Sequence, residues 1–599
     1  MRGTPEGGVG LMRWIGSEAR ALSNRCKVCD YEGALLAIVE AKHITQSLET
    51  LRFYRCPQCD SVTLPGAILA FDHIQENARD VFLRQYVEST AGIWEMFWPI
   101  ACVQGAANKS LLDVGCGFGF TADAWKHGFH APAAGCDPAP YAAEGRKVLG
   151  DHIFHGLLDD IPELANQRFD VVYASEVIEH VPDPGALVDL LIRRLKPKGV
   201  LVLTTPAADY LLPTSDPSTA YAALAPGFHE FLFSTRALER LLLARGFAHV
   251  SVERHNERLI AWASDTPIEK SAPESALGVY LNYLSERVHR GFDEDANGQS
   301  VKSGLLYRLF RDCLLRGLVP DRIDTFAAQV QQSLLLDTGP KLPTPDDIHA
   351  MLIPLSPGPS AMAAHARCFL PQAAFLLGLR AEQTNTDSDV ARSWYLLAIA
   401  ATEKLCADSA IHGLEAVAFS WSAMRALVGL DVRQRAYERV LPRAVRMLRA
   451  LCTPDSRTGT SAPPPQLVRQ CIDQWREHMA AQDSPEIIEL TGARLAAAAS
   501  LDDDQRSSAA DLQTMLDLEG RLFCAAAEIR RGNYAGARHA LDEAKVSRES
   551  LRSTLPAWHA SVGSSVASLH ARAQAPSFAT TFASAPAIAV KFGSGWGKN

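Results

Sequence analysis

From about residue 100 to residue 262 the chain alternates short apolar runs with amphipathic segments, and this restricts its fold more than any other feature. SLLDVGC, AAGCD, HIFHG, FDVVYAS and GVLVLTTP each read as a short buried strand. TADAWKHGF, YAAEGRKVLG, PGALVDLLIRRLKP and STRALERLLLARGF read as the helices among them, and HVSVERHN with RLIAWAS as a closing antiparallel hairpin. Such alternation predicts a doubly wound α/β sheet with ligands at the carboxyl ends of its strands.

The first of these strands runs into LLDVGCGFGF, with glycines at Gly115, Gly117 and Gly119. This is GxGxG, not the GxGxxG that cradles a pyrophosphate at a helix N-terminus. Asp113 stands just before the loop, where it would repel a pyrophosphate and suit a ligand bearing an ammonium or sulfonium. Asp137 ends the next strand, where a carboxylate can accept both hydrogen bonds of a ribose diol. Asp159 follows the third strand and is placed to accept from an adenine amino group. Amino acid, ribose and adenine in that order describe S-adenosylmethionine. Ser175 and Glu176, at the end of the fourth strand, are further candidates for the cofactor pocket.

Before this region lie two CxxC pairs, Cys26 with Cys29 and Cys56 with Cys59. Two such knuckles offer four thiolates to one tetrahedral ion and leave no open position for a substrate, which predicts a structural Zn2+ in a ribbon.

After about residue 270 alanine, leucine and arginine recur at helical spacing, as in ARSWYLLAIAATEKLCADSA, EAVAFSWSAMRALVGL and RAYERVLPRAVRMLRALC. EIRRGNYAGARHALDEAKV resembles one tetratricopeptide-like helical hairpin. The expected division is a flexible N-terminus over 1–20, a zinc ribbon over 21–80, the α/β domain over 81–265, a linker over 266–300, an all-helical domain over 301–560 and a flexible tail over 561–599. The helical part would bind a protein partner, self-associate or wall the substrate cleft. Of 599 residues, 59 are Lys or Arg and 68 Asp or Glu, a formal charge of -9 that argues against a nucleic-acid partner. No stretch approaches the length of a membrane span or a signal peptide, and the expectation is a cytoplasmic protein.

DVGCGFG, the Asp137 strand end, FDVVYASEVIEHVPDP, LKPKGVLVLTTP and HEFLFSTRALERLLLARGF together resemble the class I S-adenosylmethionine-dependent methyltransferases. The resemblance implies a Rossmann-like seven-stranded core and methyl transfer to an oxygen or carbon acceptor. Paired cysteine knuckles ahead of such a core look like the subgroup that serves sugar and polysaccharide pathways, so the expected acceptor is a sugar, nucleotide-sugar or glycan. A phenolic, quinone-like or lipid acceptor is the alternative, as is a non-catalytic scaffold. In that subgroup a tyrosine-containing stretch precedes the core, and YVEST with Tyr86 resembles it. A histidine five residues before a serine is also similar there, and His229 with Ser234 fits. Transfer to a hydroxyl or carbon acid needs a base, which makes His229 and His180 the candidates, with Tyr86 beside them.

Overall fold

In the computed structural model, residues 12–15, 21–43, 49–65, 83–89, 94–215, 217–292, 295–336, 342–356, 358–384, 388–406, 414–434, 534–550 and 566–567 are described. The chain divides into two compact units, Met1–Trp475 and Arg476–Asn599. The first holds two sheets and a set of helices; each is built from the sequence pattern noted above.

The small sheet comprises β1 (Met12–Trp14), β2 (Ala21–Arg25), β3 (Glu32–Lys42), β4 (Thr50–Arg55) and β5 (Val62–Thr63). CKVC forms the turn between β2 and β3, and CPQC the turn between β4 and β5. The two turns share one geometry. The amides of Asp30 and Asp60 donate to the carbonyls of Cys26 and Cys56, and both aspartates take left-handed backbone with φ near 60°.

The large sheet holds β6 (Leu111–Val114), β7 (Ala133–Asp137), β8 (Ile153–His155), β9 (Phe169–Ser175), β10 (Leu195–Pro206), β12 (His249–His255) and β13 (Arg258–Ser264). Their order is β12-β13-β10-β9-β6-β7-β8, parallel from β10 through β8 and antiparallel at β13 and β12. The short strand β11 (Phe231–Leu232) leaves this sheet and pairs antiparallel with β5 of the small one.

Period-two alternation decides what each face meets. Leu112, Val114, Val172, Ala174, Leu201 and Leu203 share a core with α4 (Pro184–Arg193) and α6 (Thr235–Ala244). Leu111, Val171, Tyr173, Val200 and Val202 pack on the opposite face against Ile100 of α1 (Trp94–Ala101) and Trp125 of α2 (Phe120–Gly128). Each fully buried leucine or valine contributes about 1.5–3 kcal/mol. Asp183 caps α4 by accepting the Ala186 amide, and Ser234 caps α6 by accepting that of Ala237. The other helices here are α3 (Pro140–Leu149) and α5 (Pro217–Leu224).

Beyond the large sheet come α7 (Leu277–Arg290), α8 (Ala296–Arg316), α9 (Pro320–Ser333), α10 (Pro345–Leu352), α11 (Pro359–Ala363), α12 (Leu370–Gln383), α13 (Ser388–Cys406) and α14 (Leu414–Arg433). The stretch 266–300, expected to be a linker, therefore holds α7 and the start of α8. It is anchored: Asp123 on α2 accepts from Tyr283 Oη at 2.9 Å and Arg287 Nε at 3.0 Å. In the second unit, α15 (Tyr534–Ser550) covers the later half of the tetratricopeptide-like segment. RAYERVLPRAVRMLRALC, the remainder of that segment, and almost all of the tail over 561–599 lie outside the described residues.

Candidate active site

The order of the large sheet reverses between β6 and β9, and a cleft of about 1470 Å3 opens there, beyond the carboxyl ends of β6, β7, β8 and β9. Gly115, Asp137, Asp159, Glu176 and His180 of the sequence-predicted set line it. Asp113, Gly117, Gly119, Ser175, His229 and Tyr86 are not among its lining residues.

The glycine loop is tied down from β7. The Gly117 amide donates to Asp137 Oδ2 at 2.9 Å, and the Ala139 amide donates to Oδ1 at 2.7 Å. Gly117 has φ +55°, and a Cβ there would lie 2.4 Å from the Tyr86 hydroxyl. At Gly115, φ +76°, a Cβ would lie 2.3 Å from Val177 Cγ2. The space these glycines vacate is thus taken by Tyr86 and Val177, which lets the loop lie flat beside the cleft. Tyr86 also hydrogen-bonds the Phe118 backbone and stacks on Tyr141, with centroids 5.7 Å apart. Burial pushes its phenol well above the usual range, so it stays protonated.

The acids differ in environment. Asp113 is buried, and burial with the nearby Asp137 charge pushes its carboxyl up to about 8. Asp137 is raised by burial, partly offset by its two amide donors, and keeps acceptor capacity for a diol. Asp159 is held by Arg194 Nη2 at 2.8 Å. Ser175 Oγ bonds Thr204 Oγ1 at 2.7 Å. Glu176, at φ +55°, accepts from Thr204 Oγ1 at 3.0 Å and pairs with Arg258 Nε at 3.2 Å.

His180 faces the cleft, and His229 stacks edge-on behind it with ring centroids 4.7 Å apart. Each Nδ1 lies 2.8 Å from a backbone carbonyl, Phe228 for His180 and Ala223 for His229. A carbonyl only accepts, so Nδ1 carries the proton and Nε2 is the basic nitrogen in both neutral rings. Burial lowers the pKa of His180. Burial and His180 push His229 down to about 3. Glu179 is wholly buried, accepts from Thr205 Oγ1 at 2.9 Å through one oxygen, and has no hydrogen-bond partner at the other. One ligand atom each from Glu179, His180 and His229 lies within 4.8 Å of the others, so this trio could hold a cation.

The four cysteines form the second such group. Cys26 and Cys59 sulfurs are 3.7 Å apart, as are those of Cys29 and Cys56. This end of the small sheet abuts the His229 segment: Ser234 Oγ donates to the Cys59 carbonyl, and Lys27 Nζ pairs with Glu230 at 2.5 Å.

Part of the cleft wall was not foreseen residue by residue. Leu83 and Arg84 come from the helical stretch 83–89, Asn297, Gln299 and Ser300 from the start of α8, and Leu336 and Arg367 from connections between the later helices. The one local signal is the polar run NGQS opening α8 where an apolar stripe is expected.

Residues 97–252 match the family model described as a methyltransferase domain. The chain is 33% identical over 165 residues to a ubiquinone biosynthesis O-methyltransferase of Psychrobacter arcticus, a match covering 25% of this chain and 62% of that one. It is 27% identical over 187 residues to the enzyme of the same name from Xylella fastidiosa, covering 27% and 75%. Among solved structures, the plantazolicin methyltransferase BpumL in complex with SAH matches at 12% identity with a TM-score of 0.27, over 33% of this chain and 92% of that one. With the sheet order and glycine loop above, the family match identifies residues 97–252 as a methyltransferase domain.

Proposed function

We propose that the protein transfers the methyl group of S-adenosylmethionine to a hydroxyl of a small phenolic or quinone-like acceptor. The observation that carries this reading is the cleft itself. At about 1470 Å3 it exceeds the roughly 300–1,000 Å3 usual for one small ligand. It has room for a cofactor and an acceptor side by side. Its walls toward α4 are apolar, with Val177, Val181, Leu187 and Leu190. The names of the relatives point the same way, and they favour this acceptor class over the sugar or glycan expected from the paired cysteines.

The residues present fit the cofactor. Asp137 would hold the ribose diol, the segment through Leu158 and Asp159 the adenine, and the glycine loop, with the buried Asp113 just before it, the cationic amino-acid end. Bound there, the cofactor supplies a sulfonium-activated methyl group. His180 takes the acceptor proton on Nε2, because Nδ1 is committed to Phe228. His229 and Glu179 set the position of the His180 ring from behind. Cys26, Cys29, Cys56 and Cys59 would hold a structural Zn2+, with all positions closed.

The test is incubation of the full chain with methyl-labelled cofactor and a panel of catechols, hydroxylated quinols, free sugars and nucleotide-sugars. Label on the phenolic members supports the reading, and label on the sugars alone overturns it. If the chain does not bind S-adenosylmethionine in calorimetry, the scaffold alternative holds.

A further inference from the structure

Glu88 is wholly buried, and its carboxylate gathers groups from distant parts of the chain. Oε1 accepts from Arg84 Nε at 2.8 Å, Arg367 Nη1 at 2.8 Å and Ser300 Oγ at 3.1 Å. Oε2 accepts from the Cys368 amide at 2.7 Å. A buried carboxylate costs several kcal/mol unless it is fully paired, and this one has four donors. Three of them come from the helical region that follows the large sheet: Ser300 from α8, and Arg367 and Cys368 from the connection between α11 and α12. The fourth, Arg84, also donates to the Ala366 carbonyl at 3.0 Å and to that of Ala363.

Two residues before Glu88 lies Tyr86, which fills the space beside Gly117, bonds Phe118 and stacks on Tyr141. Arg84, Ser300 and Arg367 themselves line the cleft. A second tie crosses its rim, where Asn297 Nδ2 donates to Glu144 Oε2 of α3 at 3.0 Å. The stretch 83–89 is therefore held between the glycine loop on one side and the helical region on the other.

We propose that Glu88 is a positioning residue for the cofactor. It fastens the stretch that backs the glycine loop to Arg367 and Ser300, and so makes the helical region a working wall of the methyltransferase cleft. The inference rests on the methyltransferase reading above.

The test is calorimetric titration of S-adenosylmethionine into the full chain and into Glu88→Gln, Arg367→Lys and Arg287→Met, with thermal melting of each. Arg287 of α7 anchors the neighbouring part of the helical region to α2 through Asp123, and it is not among the residues lining the cleft. Glu88→Gln and Arg367→Lys are expected to weaken cofactor binding by roughly tenfold or more, with KM for the cofactor rising more than kcat falls. Arg287→Met should lower the melting temperature and leave binding within about twofold. Wild-type affinity in both Glu88→Gln and Arg367→Lys overturns the proposal, as does equal weakening in Arg287→Met. Should the cleft variants fail to fold, hydrogen exchange on the wild type decides. Added cofactor should slow exchange over 83–89 and also at 297–300 and 366–368, and protection confined to the large sheet and its loops overturns the inference. A wild type that binds no cofactor refutes the underlying methyltransferase reading and this inference with it. That outcome is distinct from a binding wild type with unimpaired variants.

Discussion

His180 and His229 meet edge to face, 4.7 Å between ring centroids, and only the first of them lines the cleft. Depth thus separates two histidines that the sequence offered together as candidate bases. His180→Ala is expected to lower kcat by about 10²-fold or more while sparing cofactor affinity. His229→Ala should lower it less, because its effect passes through His180. Steady-state kinetics on both variants, with cofactor titration, checks the order.

A pH profile follows from the same pair. The His180 base acts in its neutral form, and burial lowers its pKa. Activity should therefore fall on the acid side at a pH below the ordinary histidine value of about 6.5. His229, held down to about 3, stays neutral through this range and adds no second limb. The acid limb should vanish in His180→Gln.

Asp113 exchanges stability for binding. Its carboxyl titrates near 8 in the folded chain and near 4 when unfolded. Between these values the folded state carries the extra proton, so stability is full below about 4 and declines as pH rises through 8. Asp113→Asn should flatten this decline and melt higher than wild type at pH 8. Above about pH 8, where the wild-type carboxyl is ionised, it should also bind S-adenosylmethionine at least about tenfold more weakly, since a cationic ligand then loses its counter-charge. Melting curves from pH 5 to 9 with and without cofactor test both halves.

Gly117→Ala should damage the loop twice over. Left-handed backbone costs a non-glycine residue about 1–2 kcal/mol, and the new methyl would strike the Tyr86 hydroxyl. A loss of cofactor affinity of about tenfold or more is expected. Gly246, also at positive φ but with nothing within 4 Å of a Cβ, supplies the control, in which only the backbone cost applies.

Elemental analysis should find about one zinc per chain, absent from Cys26→Ser with Cys59→Ser. Those substitutions should lower the melting temperature and also turnover, because the Cys59 carbonyl accepts a hydrogen bond from Ser234 Oγ, five residues after His229.

Legibility tracked locality. The strands, the glycine loop, the Asp137 strand end and both cysteine knuckles were readable because each is written in a few consecutive residues. The helices were readable in outline, although 266–300 passed for a linker: α7 buries Tyr280, Tyr283 and Leu284 within a polar-looking stretch. The far wall of the cleft was not readable. Glu88 and Arg367 are 279 residues apart, and no periodicity signals such a meeting. Nor does a sequence show that Asp159 is already held by Arg194, or that His229 lies behind His180.

The pairing of β11 with β5 has a practical result. A short strand that follows the fifth methyltransferase strand completes the sheet built on the cysteine turns, so the boundary near residue 80 is not one in space. A fragment beginning at residue 81 would leave Phe231 and Leu232 with bare backbone edges, while the N-terminal piece alone would lack its last rung. Both halves should be prone to aggregate when expressed apart, and co-expression should restore the joint sheet.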